Sequence, residues 1–381
     1  MQRLDNIVQF PIDAESSPFF SALSSALLPA LGYTEDTPYF CAPKGSYCVR
    51  CGGCGDRSNL QKHQLALYHA YQTLTGVGFG WVWPDSDCLA YQTIDNGGPG
   101  WTWPDSMLDQ IMGTAGLTWR RLSKSLGRDA IYREVACSID RGFPVLARLG
   151  ASPDWQVVTG CEAGALLGLD TDQHVLAKGA IRPDQYTDEG LFLLSRWFET
   201  LEDAVAITGR CDPTVTLSEI LTVIVRTLAH PAHARLEHDL MERIDRITPE
   251  NAVETAAWLN RLASFPIEAR WHAAEAFCSR ESAILRLTED TGLQQRLGDL
   301  FFTRYIADNH DETHGVCWKI WGLLGIGPEN GYTLAPDVGE RVMRPAVRDE
   351  LKRLFALVFA NDRTVLTALR ELVQTGAAVA R

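Results

Sequence analysis

Residues 138–170, SIDRGFPVLARLGASPDWQVVTGCEAGALLGLD, constrain the fold of this chain more than any other stretch. They hold a helix end, a glycine stop and three short apolar runs parted by Gly, Ser, Pro, Asp and Glu. The runs at 143–149, 155–159 and 166–169 are too short for helices and are bounded by turn residues, so they read as strands of a sheet core. Residues 191–194 add one more. Just upstream, 129–141 read as a helix, with Ile131, Val135 and Ile139 on one face and Gly142 beyond its end.

The rest of the chain divides on the same grounds. Residues 19–31 are apolar at helical spacing through Phe19, Leu23, Ala26, Leu27 and Ala30; Pro29 kinks or shortens the helix and Gly32 stops it. Residues 60–74 read as a second helix capped by Asp56 or Ser58, and 106–114 as a third capped by Asp105 or Ser106. Near Arg210–Pro213 the character changes and the pattern becomes helical almost throughout. Thr216 to Glu219 form a capping box, Thr248-Pro249 opens a helix, and further helices fit 268–287, 293–306, 317–324 and 344–375. The sequence therefore predicts an α+β fold. An α+β domain with a small antiparallel sheet occupies 1–211, with a Cys-rich insertion at 41–59, and an all-helical domain occupies 212–381.

With 381 residues, 46% of them hydrophobic, two such domains can each bury a core. The balance of 35 basic against 48 acidic residues gives −13, without a basic block, so neither nucleic acid nor an anionic membrane is an expected partner. The N-terminus has neither the basic start nor the apolar core of a secretory signal. No apolar run approaches the roughly 18 residues of a membrane span. A cytoplasmic protein is expected, and its ten cysteines are expected to stay reduced or to bind metal.

Six cysteines are scattered singly and are expected to pack as small hydrophobes. The other four, Cys41, Cys48, Cys51 and Cys54, have the spacing C-x6-C-x2-C-x2-C. Thiolates three residues apart can meet one ion, so these four could close a tetrahedral zinc site, with His63 as a substitute ligand. An iron–sulfur cluster fits less well, because Gly55-Asp56-Arg57 stands where a ferredoxin-type run carries a further Cys followed by Pro. Two other readings stand beside metal: a redox or nucleophilic thiol, and unpaired thiols in a Gly-rich loop. Cys54 precedes a helix start, where exposed N–H groups favour a thiolate.

One heptapeptide recurs. Gly80-Trp-Val-Trp-Pro-Asp-Ser86 returns as Gly100-Trp-Thr-Trp-Pro-Asp-Ser106. Trp81, Trp83, Trp101 and Trp103 could stack on a flat ligand. The plainer reading is a helix start used twice, with the rings packed over the first turn. His310 and His314 are four apart, but the Glu that a zinc-peptidase helix needs after the first His is missing, so they read as a polar connector.

At Ile139-Asp-Arg-Gly-Phe-Pro-Val-Leu146 followed by Gln156-Val-Val-Thr-Gly160, the chain resembles papain-fold proteins of the bacteriocin-processing cysteine peptidase type. It resembles more closely the N-terminal domain of the butirosin-biosynthesis acyltransferase family. The resemblance covers about residues 1–200 and implies a papain-like N-terminal domain. In those relatives a Cys opens the first long helix, a His begins the strand that runs to the Gly, and an Asp or Asn ends the next strand. Here Ser17-Pro-Phe-Phe-Ser21 offers only serines, Trp155 occupies the His position, Cys161 stands in place of Tyr, and Asp170 alone matches the orienting acid. A thiol nucleophile needs a base within hydrogen-bond reach, so standard cysteine-peptidase activity is not expected.

The reading is then a soluble, bacterial-type papain-like protein without the usual Cys–His pair, binding a small molecule, an acyl group or a peptide partner, with Trp155 among its ligand-binding residues. One alternative is an active acyltransferase or amide hydrolase with Cys54 as relocated nucleophile, His63, His69 or His174 as base, and Asp170. Another is a zinc-stabilised structural or assembly module.

Overall fold

The computed structural model of the chain describes residues 2–4, 7, 18–39, 58–80, 104–149, 155–170, 186–187, 189–278, 282–306, 315–331 and 333–374. They form two compact units, one from the described residues of 1–71 and 104–216, the other from those of 72–80 and 217–374. The division falls after Thr216, and residues 72–80, on the N-terminal side of the expected cut at 212, belong with the helices.

The first unit is mixed α+β. Its antiparallel sheet has seven strands: β1 (Gln2–Arg3), β2 (Leu117–Arg121), β3 (Val145–Leu149), β4 (Gln156–Glu162), β5 (Ala165–Asp170), β6 (Phe192–Leu194) and β7 (Leu201–Arg210). Their order is β2-β7-β3-β4-β5-β6, with β1 also on β4. Every residue of β3 is buried, which requires cover on both faces of the sheet. Helix α1 (Pro18–Ala30) packs on β3 and β4, and the described residues along it from Phe19 to Leu28 are buried all round. Two further helices of this unit are α2 (Asn59–Leu74), which spans the division, and α3 (Asp105–Ala115).

Helix α4 (Arg128–Asp140) sets Ile131, Val135 and Ile139 into a core shared with Val145, Ala147, Leu149, Val158 and Cys161. It ends as the sequence predicts: Gly142 turns left-handed at φ 84°, and Phe143 N–H returns to the Ser138 carbonyl at 2.9 Å. The β4–β5 hairpin closes through Ala163 (φ 47°) and Gly164 (φ 85°), the signature of a tight primed turn. Tyr132, Arg128 and Trp197 all hydrogen-bond the Gly164 backbone at 3.1 Å, which pins the turn to α4. Gly168 is required sterically, because a Cβ there would lie 2.3 Å from the Val157 carbonyl oxygen.

Three strands, β1, β2 and β7, are not among those the sequence predicts. β7 lies between β2 and β3, and both of its ladders slip register, between Thr118 and Trp119 and between Arg148 and Leu149. Such bulges break the two-residue alternation by which strands are recognised.

The second unit is helical: α5 (Leu217–Leu228), α6 (Pro231–Asp245), α7 (Ala252–Leu262), α8 (Glu268–Cys278), α9 (Thr291–Phe301), α10 (Gly315–Leu324), α11 (Val338–Met343) and α12 (Pro345–Gln374). Thr248-Pro249 does not open a helix; Asn251 caps α7, and its side chain accepts from Thr248 N–H at 2.8 Å. The helix expected over 268–287 ends at Cys278, and Leu285–Leu287 form a separate short turn.

Wide π-helical turns extend α7 at Ala263–Ile267 and α9 at Phe302–Ile306. Between them lies Arg270, 1% exposed. Its Nε and Nη2 fork onto Asp362 at 2.8 and 2.6 Å, Nη2 also reaches the Phe79 carbonyl at 3.0 Å, and Nη1 reaches those of Pro266 and Gly80 at 2.6 and 3.4 Å. That gives five bonds for five N–H groups. Tyr305, from the second π turn, donates to Asp362 at 2.9 Å.

Removing one partner of such a saturated buried pair strands the other charge. Asp362→Ala is expected to destabilise the helical unit by about 3–5 kcal/mol in urea denaturation; a loss below about 1 kcal/mol would contradict the assignment.

His233 lies in the same interior. Burial pushes its imidazole down to about 4; Asp362 opposes the shift, and Arg270 and His230 reinforce it. The unfolded chain therefore takes up a proton between about 6.5 and 4 that the folded unit refuses. The stabilisation is full above 6.5 and is lost as the pH falls through 4, amounting to at most about 3 kcal/mol. Across that window the urea midpoint of the native protein should fall relative to that of His233→Leu as the pH is lowered; buried Glu268, pushed up to about 7, contributes with the opposite sign in both proteins.

Candidate functional site

The family resemblance names three positions: the start of the first long helix, the start of the strand that leads to Gly160, and the end of the next strand. In the fold they come to one end of the sheet. α1 begins at Pro18, and the ring of Phe19 meets that of Trp155 edge-on at 5.2 Å. Trp155 immediately precedes β4. The ladder places Asp170 opposite Gln156, one residue beyond Trp155.

The helix start and the strand start therefore meet, but through aromatic rings. Phe19 packs on Phe20 at 5.4 Å and Phe20 on Tyr68 at 6.4 Å, both edge-on, and all four rings are at most 1% exposed. Such contacts contribute roughly 0.5–1.5 kcal/mol each beyond the area they bury. The two rings at the junction itself, Phe19 and Trp155, offer neither a nucleophile nor a base. Ser21, one turn further along α1, is buried, and its hydroxyl has no hydrogen-bond partner among the described residues.

The remaining expected residues are distributed as follows. His63 is buried on α2, stacked on Tyr33 at 4.2 Å and edge-on to Tyr39 at 5.1 Å, with Nε2 3.3 Å from the Thr37 carbonyl. Those contacts hold it as a packed core histidine. Ser58 caps that helix, exchanging bonds with Gln61 at 2.9 and 3.3 Å, and Asp56 lies outside the described residues. Cys41, Cys48, Cys51, Cys54, Trp81, Trp83, Trp101, Trp103, His174, His310 and His314 lie outside the described residues. Cys161, where the family carries Tyr, is buried in the α4-side core; burial, aided by Asp140, pushes its thiol up to about 11.

A polar cluster at the same end of the sheet was missed. Val145, Ala147 and Leu149 face the core under α4, so Arg148 faces the other way, toward the side that α1 covers. The β3–β4 ladder ends at Ala147↔Gln156, so Arg148 and Trp155 are the next residues of the two segments, and Gln156, opposite Ala147, faces the α4 side. Arg148 is 1% exposed. Among the described residues it has one ion pair, at 2.8 Å, with Glu202, the extra residue of the β7 bulge. Its Nε and Nη1 have no hydrogen-bond partner among the described residues. Neither has Gln156 Nε2, although Gln156 Oε1 accepts from Leu149 N–H at 2.8 Å, which fixes the orientation of the amide. Asp203, across the ladder from Arg148, is paired with Arg121, which also holds Asp105 at 2.9 Å. The sequence signal was an Arg inside an all-apolar strand, Val145-Leu-Ala-Arg-Leu149.

No protein-family model, no curated protein and no solved structure matches this chain.

At pH 8, iodoacetamide should modify Cys161 far more slowly than the exposed Cys137 and Cys211, because its thiolate fraction is suppressed. Equal rates followed by mass spectrometry would place Cys161 outside this core.

Proposed function

We propose that the α+β unit is a papain-like domain whose catalytic pair has been replaced, and that it works by binding a small molecule, an acyl group or a peptide without thiol chemistry. One observation carries this reading: the edge-on Phe19–Trp155 contact at the junction where a Cys and a His would have to meet. Nucleophilic catalysis there needs a thiol or hydroxyl activated by a base within about 3 Å, and two apolar rings supply neither. The family kinship rests on the sequence motifs, and the meeting of α1 with the start of β4 supports it.

The competing enzyme reading requires Cys54 as nucleophile. His63, its closest candidate base in sequence, has its ring stacked on Tyr33 and its Nε2 turned to the Thr37 carbonyl, which weighs against that role.

The protein, incubated with activated acyl thioesters and with short peptide amides, is expected to release no product above the uncatalysed rate. Turnover that disappears on Cys54→Ala with the fold intact would overturn the proposal in favour of a relocated nucleophile.

A further inference from the structure

Two arginines are among the largest fully buried side chains of the described residues, and they differ in one respect. Arg270 has every N–H spent on a fixed acceptor. Arg148, equally buried, has one ion pair and two orphan donor atoms among the described residues. A buried donor without an acceptor is costly, and more so when it carries charge. Arg148 is therefore a poor structural element as it stands, and a ready-made receptor for an acceptor brought from outside.

We propose that Arg148 binds the carboxylate of a ligand at the β3–β4 end of the sheet. Two observations converge. The orphan groups, Nε and Nη1 of Arg148, are both donors, so they call for an acceptor and not for a metal ion. Glu202 and Asp203 border the site, and Asp203 is neutralised by Arg121. That leaves room for about one negative charge, spread over two oxygens, and disfavours a phosphate dianion.

The ligand class follows: an organic acid, or a peptide presenting its terminal carboxylate, with apolar substance beside the acid to lie against Trp155. The inference deepens the binding reading and depends on it only in requiring that a ligand enter this end of the sheet.

Acetate and acetamide test it, being matched in shape and differing in charge. The melting temperature of the full chain is followed with each probe at constant ionic strength, in the native protein, in Arg148→Met and in Arg148→Lys. Acetate is expected to raise the melting temperature saturably in the native protein, whereas acetamide leaves it unchanged. Arg148→Met should abolish the acetate effect. Its melting temperature without ligand should equal or exceed that of the native protein, because a half-paired buried charge has been exchanged for an apolar chain. Arg148→Lys keeps the charge but loses the planar fork, and should weaken the response at least tenfold.

The proposal is overturned if acetate has no effect on the native protein, or if its effect survives in Arg148→Met. It is equally overturned if Arg148→Met melts cooperatively far below the native protein or not at all, since the guanidinium would then be structural. An equal response to acetamide refutes the carboxylate while leaving a ligand-binding unit in place. The binding reading itself falls only by the Cys54-dependent turnover described above, so the two failures are distinguishable.

Discussion

β3 is buried along its whole length, and most of the α+β unit is arranged around that constraint. A strand covered on both faces needs a layer on each side. On one side lies α4, which buries Ile131, Val135 and Ile139 against Val145, Ala147 and Leu149. On the other lies α1, apolar on nearly all faces. Because α1 must cover β3 and β4 together, its first turn arrives at the start of β4, and Phe19 meets Trp155. The same layering places Arg148 under α1 instead of in water. The site is thus a by-product of how the central strand is shielded.

The two buried arginines show how one residue type serves opposite ends. Arg270 ties α8 to α12 through Asp362 and satisfies carbonyls on the segments that the π turn at Ala263–Ile267 leaves open. A network closed to that degree specifies one arrangement of the helices. Arg148 is open by comparison: among the described residues, the bulge at Glu202 gives it a single counter-charge. Unsatisfied donors in a sheet interior persist only where something outside the chain supplies the missing acceptor, water included.

Much of the fold was legible in the sequence because its signals are local. Gly142 marks a turn that a left-handed residue completes, and Ile131, Val135 and Ile139 state the buried face of α4 by spacing alone. The helical unit was legible from the capping box and apolar period of α5. β7 was not, since its bulges disturb the alternation and its Ala and Asp residues have weak strand preference. The π turns were likewise illegible: Pro266 and Tyr305 acquire meaning only once Arg270 and Asp362 are brought together from 92 positions apart. At the candidate site, the sequence located Trp155 and Asp170 through a family pattern. It did not reveal that Phe19 would be the ring facing Trp155, or that Arg148 would lie at the same end of the sheet, because both depend on how α1 and the hairpin are layered.

The first turn of α1 and the start of β4 are joined by the edge-on contact of Phe19 with Trp155, and the proposed function rests on that contact. A double-mutant cycle on Phe19→Ala and Trp155→Ala, read by urea denaturation, measures that contact without reference to any ligand. The account predicts a coupling of about 0.5–1.5 kcal/mol between the two rings. Strictly additive losses would mean that the rings do not meet, and would remove the basis for placing a replaced catalytic pair at this end of the sheet.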